Sequence, residues 1–272
     1  MRIAVLYIAI GNYDFFFKGF YKSCERYFLP ESDKEYFVFT DSKKRIFLSS
    51  DKIHRIQQQD MGWPDNTMQR FRLFESIGDE LADFDYIFFF NANIIFAKTV
   101  TEAVLPQHGL IVVRHPGFYK ECNPNNLTYE RSSESQAYIP YGQGEIYVCG
   151  GVNGGTSDAY LAMVHELRQR TDKDTANGVV ARFHDESQLN RYILDISKDD
   201  YTVWDCGYAY PDIFYLPGIE MKAKLRTKQL YIPVLGLKGT NKLSQRLKMY
   251  LYTIYRLLTS TIKRSFDKLR NK

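Results

Sequence analysis

Apolar positions along the first hundred residues alternate between two spacings. Residues 2–10, 36–40 and 53–57 read as strands, and 85–91 is a continuous apolar run of the kind buried on both faces of a sheet. Between the first two strands, Phe16, Phe17, Phe20, Tyr21, Cys24, Tyr27 and Phe28 recur at helical spacing. Met68, Phe71, Phe74 and Ile77 mark a second helix over 67–79, with Asn66 or Thr67 placed to cap it. The resulting β-α-β-β-α-β order predicts a largely parallel sheet flanked by helices. Ligands of such sheets bind beyond the carboxyl ends of the strands, where Gly11–Tyr13 and Asn91-Ala-Asn93 fall.

The second half is less regular. Residues 115–155 are rich in Gly, Pro, Asn and Tyr and read as long substrate-binding loops. A helix is expected over about 156–171, and another opens near Asp185 or Glu186. From 241 to 270, Leu243, Leu247, Leu251, Ile254, Leu258, Ile262, Phe266 and Leu269 recur every three or four residues with Lys and Arg between them. The chain therefore divides into an α/β domain over 1–240 and a basic amphipathic helical tail over 241–272.

Charge sharpens that division. Residues 238–272 hold ten Lys or Arg against the single acid Asp267, while the whole chain carries only +4, so the body is mildly acidic. A tail of this kind suits an anionic membrane surface; packing on the body or on a second copy is the alternative. No nucleic-acid partner is expected. The 272 residues suffice for one large core. No segment approaches the roughly 18 apolar residues of a membrane span. The apolar run after Met1 lacks a small-residue cleavage site and ends in a turn at Gly11-Asn12, so it reads as a strand rather than a signal peptide. Cys24, Cys122, Cys149 and Cys206 form no CxxC pair and no zinc-ligand spacing. A cytoplasmic protein, at most peripheral at the inner membrane, is expected.

Seven segments together resemble glycosyltransferase family 6, which contains the ABO blood-group transferases, the α-1,3-galactosyltransferase and the Forssman synthase. They are Ile8–Tyr13, Tyr36–Asp41, His115–Tyr119, Thr128–Arg131, Ser135–Pro140, Gly150–Gly155 and His184–Ser187, in the family's order across about residues 3–230. The resemblance implies a GT-A-type, Rossmann-like catalytic domain that takes a UDP-sugar donor and a galactose-terminated acceptor. Such enzymes ordinarily grip a divalent metal with two aspartates at the end of the central strand. Asn91 and Asn93 keep that spacing without the charge, so metal-independent activity is expected, with no cofactor. The neutral pair, and a start without the span and stem of vertebrate members, resemble a bacterial branch of the family.

The resemblance also implies roles for individual residues. Backbone groups of Ile8, Ala9 and Ile10 would pair with uracil, with Tyr13 stacked near it. Arg70, with Asn91, Ala92 and Asn93, would hold the donor near its sugar and diphosphate, and Asp185 would bond the sugar hydroxyls. Gly150 and Gly151, after Cys149, resemble the members that leave room for an N-acetyl group; a tight turn would call for the same glycines. His115 and Thr128 would contact the acceptor galactose, and Phe183 stands where mammalian members carry Trp. Glu186, in His184-Asp-Glu-Ser187, matches the catalytic carboxylate. A retaining reaction uses such a group either as a nucleophile or as stabiliser of an oxocarbenium-like state during front-face attack, and Glu186 suits both.

With no metal, the charge on the departing UDP must be met by cations. Lys224 and Lys238, after Pro217, are the candidates on position in the chain. The expected reaction is α-1,3 transfer of GalNAc to a galactose, one bearing an α-1,2-fucose, with UDP-Gal as the alternative donor. A catalytically silent sugar-binding module is the rival from another class.

Overall fold

The computed structural model describes residues 1–43, 50–231 and 243–270. Strand β1 (Arg2–Ala9) lies inside a seven-stranded sheet, next to its central strand. Parallel neighbours flank it, β2 (Asp33–Thr40) on one side and β4 (Tyr86–Phe90) on the other. The sheet order is completed by β3 (Ile53–Gln57) beyond β2, and by β7 (Val148–Thr156), β6 (Leu110–Arg114) and β8 (Tyr201–Trp204) beyond β4. Only β7 runs antiparallel to its neighbours. The α/β architecture is the GT-A type. A smaller sheet of β5 (Ile94–Phe96), β10 (Ala223–Leu225) and β9 (Tyr210–Pro211) sits beside it.

Why the central strands are apolar at every position follows from the layers. Ile3, Val5 and Tyr7 of β1, with Phe88 and Phe90 of β4, pack under α1 (Phe17–Tyr27). Ala4 and Leu6, with Ile87 and Phe89, face the opposite layer, built on α5 (Ser157–Ala176) and the short helices α2 (Asp65–Met68), α3 (Arg70–Glu75) and α4 (Gly78–Leu81). Successive side chains point to opposite faces, and here both faces are covered.

Two sequence expectations are corrected. The helix over 67–79 is three short pieces, interrupted near Gln69 and Ile77, and neither Asn66 nor Thr67 caps it. Asn66 instead accepts from the Met61 amide at 3.1 Å and donates to Asp60 at 2.6 Å. An α-helix turns about 100° per residue, so Met68 and Ile77, nine apart, would lie on opposite sides of a straight one. Breaking the helix lets Met68, Phe71, Phe74 and Ile77 all be buried. The second correction concerns 148–156, expected within loops because of its glycines, which forms the antiparallel strand β7. Close approach explains the composition: a methyl group at Gly154 would lie 2.3 Å from the Phe88 ring of β4.

The C-terminal helix α7 (Leu243–Arg270) forms as expected. Its polar side meets the body: Ser260 Oγ donates to the Ile213 carbonyl at 2.5 Å and Arg264 to that of Phe214 at 2.8 Å. Among the described residues, no helix is long and apolar enough to cross a membrane.

Candidate active site

Because β7 enters antiparallel, its first residues lie beside the carboxyl end of β4; the Asn91 amide donates to the Gly151 carbonyl at 2.7 Å. Helix α6 (Asp185–Asp195) is clamped onto the same place. The Asn190 side chain accepts from the Val148 amide and donates to the Val148 carbonyl, both at 2.9 Å. His184, at φ 51°, turns the chain into α6, an unusual conformation for a residue with a side chain. The first two residues of the helix, Asp185 and Glu186, thereby face β7.

Both oxygens of Glu186 are held. Tyr147 OH donates to Oε1 at 2.9 Å and the Gly150 amide to Oε2 at 2.8 Å. Burial raises the carboxyl pKa, and these two donors oppose the rise. Burial raises the Tyr147 hydroxyl pKa well above its ordinary value, and Thr128 opposes that rise, so Thr128 acts on the carboxylate only through Tyr147. Beside it, Arg70 and Asp185 form a buried ion pair, with Arg70 also donating to the Gly150 carbonyl at 2.8 Å and stacking 4.1 Å over the Phe89 ring. Burial raises Asp185 to about 6, against the pull of the guanidinium.

These groups line an open cavity of about 550 Å³ with Asn91, Gly150, Gly151, Phe183 and His184. Glu186 lies in this wall with Arg70 and Asp185. The two glycines are packed as well as permissive. A methyl at Gly151 would lie 2.4 Å from Asn91 Nδ2, and one at Gly150 would lie 2.8 Å from Asp185 Oδ2.

A second cavity of about 830 Å³ adjoins the first, lined by His115, Pro116, Ile213 and Phe214 among others. His115 Nδ1 accepts from the Gly117 amide at 3.0 Å, so the neutral ring carries its proton on Nε2 as a donor. Burial lowers its pKa to about 4.

Lys228 lines both cavities. Its ammonium lies 4.9 Å from the Tyr13 ring, which connects the end of β1 to the donor side. Burial, with Arg70 nearby, lowers its pKa to about 8. Ile8, Ala9 and Ile10 form the end and exit of β1, where the Ala9 carbonyl accepts from Thr40 at 2.7 Å.

Three expected positions differ in placement. Asn93 is buried, and its amide donates to the Arg226 carbonyl at 2.5 Å. The motif therefore divides: Asn91 lines the cavity shared with Glu186, while Asn93 lines the second cavity and holds the backbone at Arg226, two residues before Lys228. Ala92 is also buried, its carbonyl accepting from Tyr7 at 2.8 Å. Lys224 belongs to β10 and lines neither cavity, and Lys238 lies outside the described residues. Tyr147, Asn190 and Lys228 had no motif to single them out. Lys228 falls in the basic stretch after Pro217, but it lies beyond the end of β10, in the short helix at 228–230, whereas Lys224 is within that strand.

The residues do not fit a divalent cation under a diphosphate. Asn91 and Asn93 are neutral, Asn93 presents only one unpaired buried oxygen, and Asp185 is tied to Arg70. Among the described residues no three His, Cys, Asp or Glu side chains converge to hold a metal.

Residues 1–211 match the model of glycosyltransferase family 6. The chain is 36% identical over 192 residues to the O-antigen biosynthesis glycosyltransferase WbnI of Escherichia coli, covering 71% of this chain and 82% of that protein. It is 30% identical to histo-blood group ABO system transferase 1 of Rattus norvegicus, over 75% of this chain and 61% of that one. Identity to globoside α-1,3-N-acetylgalactosaminyltransferase 1 of Homo sapiens is 26%, over 71% and 57%. The chain thus spans most of the bacterial relative and about three fifths of the vertebrate ones. It belongs to glycosyltransferase family 6.

Proposed function

We propose that this chain is a retaining transferase that moves GalNAc from UDP-GalNAc to the 3-hydroxyl of a terminal galactose, one carrying an α-1,2-fucose. The linkage made is α-1,3, and no divalent metal takes part. The observation that carries the reading is Glu186, held by two donors in the wall of a cavity shared with Arg70, Asp185 and Lys228. The name of the globoside relative, an α-1,3-N-acetylgalactosaminyltransferase, supports the sugar and linkage. A silent sugar-binding module would have no use for a partly buried carboxylate so held.

In this reading the donor sugar lies over Glu186, with its hydroxyls on Asp185 and its diphosphate toward Asn91, Arg70 and Lys228. The C1–O bond to the diphosphate breaks, and UDP leaves with the electron pair. Arg70 and Lys228 meet the charge that develops on it. His115 donates from Nε2 to the acceptor in the adjoining cavity and orients its 3-hydroxyl. In front-face attack that oxygen bonds C1 from the side UDP leaves, its proton passing to the departing phosphate while Glu186 stabilises the cationic centre. In the two-step route Glu186 first bonds C1 as UDP leaves, and the acceptor oxygen, passing its proton to the UDP phosphate, then displaces the carboxylate.

The test is a screen of UDP-GalNAc, UDP-Gal and UDP-GlcNAc against Fucα1-2Gal and lactose, with mass detection and linkage analysis. Transfer of GalNAc to O3 of the fucosylated acceptor is expected. Preference for UDP-Gal would replace the donor assignment, and absence of transfer from every donor would remove the function.

A further inference from the structure

Helix α7 presents its apolar stripe away from the body. Leu247, Leu251, Leu258, Ile262 and Phe266 are each 55–68% exposed, while the buried Thr253 and Ser260 face inward. The inward side is held by polar contacts: Ser260 and Arg264 bond the carbonyls of Ile213 and Phe214, and Tyr215 donates to Asp267 at 2.5 Å. A helix packed for the stability of the body would bury its leucines and expose its polar residues. This one turns Thr253 and Ser260 inward and most of its large apolar side chains outward, with Met249 packed against Phe16.

The borders of the stripe show what covers it. Lys248 and Lys263 are exposed at its flanks, Tyr250 and Tyr252 carry hydroxyls at its edges, and Tyr255 lies within it between Leu251 and Leu258. An apolar strip edged by lysine and tyrosine is the composition of a helix lying in the headgroup layer of a bilayer, with Lys reaching lipid phosphates. The basic charge of 238–272, ten Lys or Arg against one acid, attracts an anionic surface and opposes face-to-face pairing of two copies. We propose that α7 is an interfacial helix that seats the enzyme on an anionic membrane, with Leu247–Phe266 immersed at the acyl boundary. Ile213 and Phe214, which hold its inner side, also line the cavity assigned to the acceptor. That cavity therefore lies within about one helix diameter, roughly 10–12 Å, of the lipid. The placement near an acceptor rests on the proposed transferase function; membrane binding itself does not.

Vesicle flotation of the full chain tests the proposal independently of activity. The wild type is expected to float with phosphatidylglycerol-rich vesicles and to remain behind with pure phosphatidylcholine. Raising salt to about 1 M, which shortens the screening length to about 3 Å, should weaken the binding. The double variant Leu258→Glu, Ile262→Glu should lower binding at least tenfold while leaving circular dichroism and UDP release with a soluble acceptor unchanged. No binding by the wild type, equal binding to both vesicle types, or equal binding by the double variant each overturns the proposal. So does a wild-type dimer in sedimentation that the same substitutions dissociate, which would assign the stripe to a second copy.

Discussion

Tyr147 donates its phenolic proton to Glu186 Oε1 at 2.9 Å. The contact orients the carboxylate and favours its ionised form, because a donor stabilises the charge it points at. Burial pushes the other way, raising the Glu186 pKa. Glu186→Gln keeps the shape and removes the charge. It is expected to lower kcat by several orders of magnitude with UDP binding nearly intact, since the group acts in the transition state. Retention of more than about a tenth of wild-type kcat, a barrier change under about 1.4 kcal/mol, would exclude it.

Tyr147→Phe separates positioning from chemistry. Loss of the donor raises the Glu186 pKa further, so more of the enzyme is protonated at a given mildly acidic pH. The acid limb of the kcat–pH profile should therefore move to higher pH, while kcat on the plateau falls by a smaller factor than in Glu186→Gln. A profile superimposable on wild type would show that Tyr147 does not act through Glu186.

The fold was largely legible because its signals are local. The central strands β1, β2 and β4 are buried on both faces, so a run such as Tyr86–Phe90 can be little else. Glu186 and Arg70 could be picked out through motif resemblance. What could not be read depends on partners distant in sequence. The glycines of β7 resemble a loop until the Phe88 ring, some sixty residues earlier, occupies the space of their side chains. Asn91 and Asn93 look equivalent, but a turn sends them to two different cavities and ties the Asn93 amide to the Arg226 carbonyl. The tail's periodicity correctly gave a helix, yet periodicity carries no information on which side docks.

Gly151→Ala tests whether the glycine pair sets the donor or the packing. The added methyl would lie 2.4 Å from Asn91 Nδ2 and must displace it. Both UDP-GalNAc and UDP-Gal should then lose kcat/KM by similar factors, of the order of tenfold, because Asn91 serves the diphosphate common to both. A selective loss of UDP-GalNAc would instead return Gly151 to the role of making room for the acetamido group.

His115 is neutral over the working range, since burial lowers its pKa to about 4. Its hydrogen bond to the acceptor should persist from pH 8 to pH 5, giving an acceptor KM that is flat across that window. The same shift bears on stability. The unfolded chain binds a proton near pH 6.5 that the folded chain refuses until about 4. Its contribution is therefore complete above 6.5 and lost as pH falls through that interval. His115→Ala should raise acceptor KM with little change in donor KM. An acceptor KM that climbs tenfold between pH 7 and 5.5 in wild type would contradict the neutral assignment.

Lys228 carries the metal-free reading of the reaction. It lines both cavities, where Lys224 lines neither, and its lowered pKa of about 8 leaves it charged at neutral pH. Activity in excess EDTA should equal that without chelator, and Mn²⁺ should give no stimulation. As pH rises through about 8 the free enzyme loses this charge, so kcat/KM for the donor should fall on the alkaline side. The bound diphosphate stabilises the ammonium, so the corresponding limb in kcat should lie at higher pH. Lys228→Arg keeps its charge throughout and should abolish the alkaline limb, whereas Lys228→Ala should lose at least two decades, about 2.7 kcal/mol of transition-state stabilisation. An enzyme silenced by EDTA and restored by Mn²⁺ would transfer the leaving-group role from Lys228 to a metal.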